Sequence, residues 1–169
     1  MIGMADEVDE VDEIVKAWRR ERSDLDVEPL QILSRVSRLA DVLDDRRAAA
    51  FVDHALQAHE FDVLAALRRS GEPFELTAGE LCAATHVTSG TMTSRLDRLV
   101  ARKLVLRRAD EDDGRLVLVR LTAAGRRRVD GALTALLHSG RELLAKLTPA
   151  KRDRLAATLR ELLGAATRT

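Results

Sequence analysis

Apolar residues recur every three or four positions along most of the chain, which is the spacing that lines one face of a helix. Val11, Val15 and Trp18 follow it near the N-terminus, and Val129 and Leu133 follow it near the C-terminus. A few short stretches instead alternate or run apolar, as strands do. The pattern predicts helices over about residues 8–22, 29–47, 59–69, 77–84, 88–100, 122–147 and 149–163, and strands over residues 74–76, 104–108 and 116–121.

The elements in the middle of the chain come in an order that defines a fold. Thr77, with Glu80 three residues later, is a capping box that begins a short helix, and Thr88 or Ser89 begins another helix after a turn. The polar residues 109–114 link two strands as a hairpin. This order predicts a winged helix-turn-helix, in which the second helix enters the major groove of DNA and the hairpin reaches the minor groove. We therefore expect a mainly α protein with a small antiparallel β wing.

Composition narrows the possible functions. Aromatic residues make up only 2 % of the chain, which disfavours a stacking platform for single-stranded nucleic acid. The single cysteine, Cys82, rules out an internal disulfide and fits a reducing cytoplasm. The sequence contains no run of 18 apolar residues, so it predicts no membrane-spanning helix. The acidic N-terminus lacks the basic start of a signal peptide. We expect a cytoplasmic protein with no membrane partner.

The net charge is zero, but the charges are unevenly distributed. Residues 1–28 contain ten acidic and four basic residues, whereas residues 88–128 contain eleven basic and five acidic residues. Hydroxyl side chains at a helix N-terminus can hydrogen-bond to a DNA phosphate, and arginine can bind a phosphate or a guanine base. The alternative is an ordinary solvent-exposed helix face, which can carry the same residues. On the second helix we expect Met92, Leu96, Leu99 and Val100 to face the core. The DNA-contact candidates on its outward face are Ser89, Thr91, Thr93, Ser94, Arg95 and Arg98.

Four motifs carry a resemblance to a known family. They are the stretch from Thr88 to Leu99, residues 104–108 with the sequence LVLRR, the triplet Asp113-Gly114-Arg115, and residues 117–125 with the sequence VLVRLTAAG. Together they resemble the MarR family of bacterial transcription regulators over residues 60–125. The resemblance implies that Arg115 enters the minor groove and that Asp113 helps to hold the wing loop. Gly114 departs from the family pattern, which often has a basic residue at this position. The departure implies that the wing binds DNA more weakly.

The resemblance also implies a homodimer joined through the N- and C-terminal helices. On this basis we expect residues 1–58 to form N-terminal helices for dimerisation and a pocket wall. Residues 59–122 would form the DNA-binding domain, and residues 123–169 the C-terminal dimerisation helices. The hydrophobic pattern also favours a dimer. The apolar stripes over residues 129–147 and 155–163 are larger than a small winged domain can bury by itself, so a partner chain is expected to cover them.

A narrower resemblance is to the urate-responsive branch of the family. That branch has an extra N-terminal helix with a Trp, an Asp before the DNA-binding motif, and two arginines, and this chain has Trp18, Asp62, Arg95 and Arg107 at those places. The resemblance implies a purine-like anion such as urate, or a phenolic ligand, that releases a repressor from a pseudo-palindromic operator. We expect an Asp62–Arg95 ion pair to hold the second helix of the motif, which we call the recognition helix, in place before the ligand arrives.

Plainer interpretations of these residues remain open. Trp18 could simply pack an N-terminal helix against the rest of the protein. Asp62 could be an ordinary ion-pair partner, and Arg107 could contact a DNA phosphate. The alternative function is a constitutive DNA-binding dimer without a ligand, controlled by abundance or by a protein partner. Cys82 is expected to be a buried, inert thiol, and the four scattered histidines predict no metal site. No motif predicts a cofactor or an enzyme.

Overall fold

The computed structural model describes residues 8–109 and 116–168. It confirms the expected fold class, a mainly helical chain with one small antiparallel sheet. No helix in these residues is long and apolar enough to span a membrane. The helices are α1 (Glu10–Glu21), α2 (Leu30–Val52), α3 (Ala58–Arg69), α4 (Ala78–Thr85), α5 (Ser89–Ala101), α6 (Ala123–Leu144) and α7 (Pro149–Ala166), and the strands are β1 (Glu75–Thr77), β2 (Val105–Ala109) and β3 (Val117–Leu121).

Side-chain caps set the start of most helices, because they satisfy backbone N–H groups that have no partner in the first turn. Thr77 accepts from the N–H of Glu80 and completes the predicted capping box at the start of α4. Thr88, one of the two predicted candidates, caps α5. Thr122 and Thr148 cap the two C-terminal helices, α6 and α7, in the same way.

The sheet places β3 between β1 and β2, and both pairings are antiparallel. In the β2–β3 hairpin, Val105 lies opposite Leu121 and Ala109 lies opposite Val117. Residues 110–115, which join these strands, are outside the described ranges, and the predictions for Asp113, Gly114 and Arg115 fall among them.

The chain divides into two compact units, residues 1–46 and residues 47–169. In the first unit, Val11, Val15 and Val27 form a small apolar cluster. Arg35 donates to the carboxylates of Asp9 and Asp12 at 2.8 Å, and these hydrogen bonds connect α2 to the start of α1.

The second unit has its core around α3. Leu64 and Leu67 on this helix are fully buried, and the rings of Phe51 and Phe61 stack with centroids 4.4 Å apart. Two expectations for this unit are wrong in detail. Val100 is 37 % exposed rather than inward, because Met92, Leu96 and Leu99 already define the buried face of α5. Cys82 is only partly buried, at the edge of the core.

The first turn of α6 approaches the backbone at the start of the wing. A Cβ atom added to Gly125 would clash with the carbonyl oxygen of Leu104, so only glycine fits there. The hydroxyl of Thr122 donates to the same carbonyl at 3.0 Å. These contacts fix the beginning of α6 against the hairpin.

Beyond this first part, the C-terminal helices bury little in the single chain. α7 has no buried residue, and the last buried residue of α6 is Ala132. Leucines of both helices remain exposed, namely Leu133, Leu137, Leu144, Leu155, Leu162 and Leu163.

Candidate nucleic-acid interface and adjoining cavities

The outward face of α5 is polar, as predicted. Its buried face is lined by Met92, Leu96 and Leu99, which are at most 2 % exposed. Of the six DNA-contact candidates on the opposite face, Arg95 is half-buried, and the others are exposed: Ser89, Thr91, Thr93, Ser94 and Arg98. A surface helix with hydroxyls on its first turns and arginines beyond them matches the needs of a helix that enters the major groove.

The basic side chains near α5 fall into two groups. Arg102 and Arg107 are held by acidic partners on the protein. Arg95 and Arg98 make no hydrogen bond or ion pair with any residue in the described ranges, and we call this pair the free arginines of α5. An arginine without an acidic partner keeps its donors available for a phosphate or a base.

Arg107 connects β2 to α5. Its Nη1 donates to Oδ1 of Asp97 at 2.6 Å, and its Nη2 donates to the carbonyl oxygen of Thr93 at 3.0 Å. Its Nε is buried and has no hydrogen-bond partner among the described residues. The guanidinium therefore fixes the wing strand relative to the recognition helix.

Arg102 connects the C-terminal end of α5 to α3. Its Nη1 donates to both carboxylate oxygens of Glu60 at 2.7 Å, and its Nη2 donates to the carbonyl oxygen of Ala55. Glu60 is 4 % exposed and also accepts from the N–H of Gln57 at 3.0 Å, which closes a capping box on α3. Burial raises the pKa of Glu60, but the hydrogen bonds from Arg102 and Gln57 outweigh it and hold that pKa below its ordinary value.

The free arginines line a cavity beside α5. This cavity has a volume of about 310 Å³ and is lined by His59, Thr91, Ser94, Arg95 and Arg98. Burial lowers the pKa of His59, and the charge of Arg95 lowers it further. We call it the His59 cavity.

The second cavity lies between α3, the end of α4 and α6, and has a volume of about 460 Å³. We call it the Asp62 cavity. Asp62 makes an ion pair there with Arg47, whose guanidinium also lies over the rings of Phe51 and Phe61, with centroids 5.7 and 5.8 Å away. The lining residues are Arg47, Phe61, Asp62, Ala65, Arg69, Ala84, Thr85, His86 and Leu136.

The expected Asp62–Arg95 ion pair is therefore wrong, because Asp62 faces Arg47 instead. Sequence reasoning missed Arg47, although a signal was present. It stands four residues before Phe51 on the apolar face of α2, where an arginine is out of place unless it has a partner.

The four candidate ligand residues are not gathered in one place within the second unit. Asp62 lines the Asp62 cavity, Arg95 lines the His59 cavity, and Arg107 is bound to Asp97. Trp18 belongs to the first compact unit and is 49 % exposed. Their common role in ligand binding stays a prediction.

A winged helix-turn-helix with a polar, partly unpaired recognition face is a DNA-binding protein of the transcription-regulator class. The comparisons with known proteins agree. A family model described as the MarR family matches residues 54–116. The HTH-type transcriptional regulator PecS of Dickeya dadantii is 35 % identical over 150 residues, which is 89 % of this chain and 90 % of that protein. The chain belongs to the MarR family.

Solved structures show the same relationship. The structure of Bordetella bronchiseptica BpsR, described with the regulation of its DNA binding by 6-hydroxynicotinic acid, is 30 % identical and has a TM-score of 0.59. It covers 76 % of this chain and 98 % of its own. A mutant of Escherichia coli MarR, complexed with operator DNA, is 25 % identical with a TM-score of 0.70 and covers 82 % of this chain and 99 % of its own. This chain is thus a transcription regulator of the MarR family.

Proposed function

We propose that the protein represses transcription by binding a pseudo-palindromic operator as a homodimer, and that an anionic heteroaromatic molecule releases it. The observation that carries the proposal is the face of α5, where the free arginines stand beside exposed hydroxyls on a helix that Arg102 and Arg107 fix in place. The E. coli MarR mutant, which shares this fold and is complexed with operator DNA, supports operator DNA as the partner.

On the DNA, we assign phosphate and base contacts to the six candidates of α5 and a minor-groove contact to Arg115. Two α5 helices must reach successive major grooves, so the half-sites should lie about 10 bp apart. Fluorescence anisotropy with promoter DNA tests the assignment. Arg98→Ala should weaken binding and reduce the log–log salt dependence by about one phosphate. Arg160→Ala, which removes an equal charge from the exposed surface of α7, should not; equal effects of the two variants would contradict the assignment.

The dimer would use the exposed leucines of α6 and α7. Leu137 is 49 % and Leu163 is 66 % exposed in the single chain, and large apolar side chains left exposed along two helices are typical of a protein interface. Sedimentation equilibrium should give twice the chain mass at micromolar concentration, and Leu137→Asp should shift the population towards monomer. A wild-type protein that is monomeric under these conditions would overturn the dimer.

The ligand would occupy the Asp62 cavity. Its volume suits a small heteroaromatic molecule, and it offers the ring of Phe61 beside the guanidinium of Arg47. An anion there competes with Asp62 for Arg47. The far wall is the end of α4 at Thr85 and His86, two residues before the cap of α5, so a ligand that displaces this wall also displaces the recognition helix. BpsR, whose DNA binding is regulated by 6-hydroxynicotinic acid, supports an acid of this kind.

Urate and 6-hydroxynicotinate are the two probes for this test. Either ligand should raise the melting temperature and lower the operator affinity, and a ligand that favours the unbound form about 100-fold shifts the equilibrium by about 2.7 kcal/mol. Arg47→Ala and Asp62→Asn should blunt the release while operator binding persists. Trp18→Ala and Arg107→Ala test the wider set that the resemblance implies. If neither compound changes melting temperature or affinity at millimolar concentration, the constitutive dimer is the better function.

A further inference from the structure

The His59 cavity is basic and contains no acidic side chain among its lining residues. Its five lining side chains are one imidazole, two guanidinium groups and two hydroxyls, and all of them are hydrogen-bond donors. Neither the free arginines nor the ring of His59 makes a hydrogen bond or ion pair with another residue of the described ranges. A concave site with three unpaired basic groups and two hydroxyls is suited to a tetrahedral oxyanion.

We propose that the His59 cavity binds a backbone phosphate of operator DNA, and that His59 takes up a proton when this phosphate arrives. The proposal rests on the proposed DNA-binding role of α5 and adds to it a contact from α3, the helix before the helix-turn-helix. His59 stands in the first turn of α3, so a bound phosphodiester would join this helix to the recognition helix through a single ligand.

The charges around His59 decide its protonation before and after binding. Arg95 and Arg98 on α5 act on it as like charges, while Glu60 and Asp62 on its own helix act as opposite charges. Both acids already have partners, because Glu60 binds Arg102 and Asp62 binds Arg47. In the free protein, burial and the arginines therefore keep the pKa of His59 low and its ring neutral at pH 7.

A phosphate in the cavity reverses this balance. It adds negative charge next to the ring, which favours imidazolium, and it offers an acceptor to the new N–H group. The proton comes from solvent, and no covalent bond forms or breaks. Since the bound form holds more protons than the free form, operator affinity must rise as pH falls through the interval between the two pKa values of His59. The slope can reach about tenfold in affinity per pH unit for each proton taken up.

Operator affinity from pH 5.5 to 8.0, measured by anisotropy with the full-length protein at constant ionic strength, tests the proposal. Wild type should bind several-fold more tightly at pH 6 than at pH 7.5. His59→Gln should lose most of this pH dependence, and His59→Lys, which keeps a positive charge throughout, should bind tightly with little pH dependence. His138→Gln is the matched control, because His138 is an exposed histidine of α6 that pairs with Glu142. It should keep the wild-type profile.

Isothermal titration in buffers of different ionisation enthalpy counts the protons directly. Uptake on operator binding that disappears in His59→Gln supports the proposal. It is overturned if His59→Gln keeps the wild-type pH profile and proton uptake, or if His59→Lys weakens binding as Arg98→Ala does. Inorganic phosphate that stabilises wild type but not His59→Gln, while both bind operator with the same pH profile, would make the cavity a site for free phosphate instead. Failure of the proposed function looks different, since then even wild type would show no salt-dependent operator binding.

Discussion

Replacing Arg102 by alanine tests whether the buried carboxylate of Glu60 holds the recognition helix. Arg102 closes the C-terminal end of α5, and its guanidinium supplies two of the three hydrogen bonds that Glu60 accepts from residues in the described ranges. In Arg102→Ala, Glu60 keeps only the N–H of Gln57 as a partner. A buried carboxylate would then stand without a compensating charge.

The expected loss of stability follows from burial. Removing one partner of a buried ion pair costs about 3–5 kcal/mol, because the remaining charge stays desolvated. Glu60 is almost fully buried, but the side chain of Arg102 is 32 % exposed, and water entering its place solvates part of the charge. We therefore expect about 3 kcal/mol, which in a chain of this size lowers the melting temperature by about 6–12 °C.

The loss should also depend on pH in a definite direction. In wild type the pKa of Glu60 lies below its ordinary value of 4.5, so the ionised carboxylate stabilises the fold above that pH, and this stabilisation is lost as pH falls through the depressed pKa. In Arg102→Ala burial dominates and the pKa of Glu60 moves upward. The difference between the two proteins is therefore largest near pH 7 and shrinks towards pH 4.

Chemical denaturation at equal protein concentration measures both effects. Arg127→Ala is the control, since Arg127 is exposed on α6 and makes no ion pair with a described residue. Adding Glu60→Gln to Arg102→Ala removes the unpaired charge and should recover part of the stability. A loss below about 1 kcal/mol, or a double variant less stable than the single one, would refute the buried-charge reasoning.

Two further predictions concern the contacts that position the recognition helix and the wing. Gly125→Ala should lower the free energy of unfolding by about 1–3 kcal/mol in a denaturant titration, because the new methyl group meets the carbonyl of Leu104. Gly140→Ala, in the same helix with nothing within 4 Å, should be neutral or stabilising, and equal losses in both variants would contradict the close approach. Arg107→Ala should weaken operator binding and leave the urate response intact if Arg107 serves only to fix β2 on α5 through Asp97. A lost urate response would place Arg107 in the ligand site.

Periodicity and capping predicted the architecture well for physical reasons that act locally. The Thr77–Glu80 capping box depends on residues three apart, so the sequence alone predicts where α4 begins. The same holds for the start of α7, where Thr148 precedes Pro149. The outward face of α5 is predictable too, because three buried positions at helical spacing leave the rest to solvent.

Pairing between distant charges was not predictable in the same way. Asp62 could have paired with any arginine that the fold brings near, and the resemblance pointed to Arg95 rather than Arg47. The partner of Glu60 is Arg102, 42 residues away, and nothing in the local pattern of either residue selects the other. The packing of α3 against its neighbours decides these pairs, and the order of the sequence does not encode it directly.

Helix α3 contributes residues to both cavities and also contacts the recognition helix. Three nearby positions on its first turns have separate tasks: His59 faces the His59 cavity, Glu60 holds Arg102, and Asp62 holds Arg47 in the Asp62 cavity. A ligand that takes Arg47 from Asp62 leaves a carboxylate with less positive charge beside it, one helical turn from His59. Unpaired Asp62 would then favour the protonated ring, which strengthens phosphate binding. Release by the ligand must therefore come from displacement of α4 and α5, since the electrostatic change at His59 acts in the opposite direction.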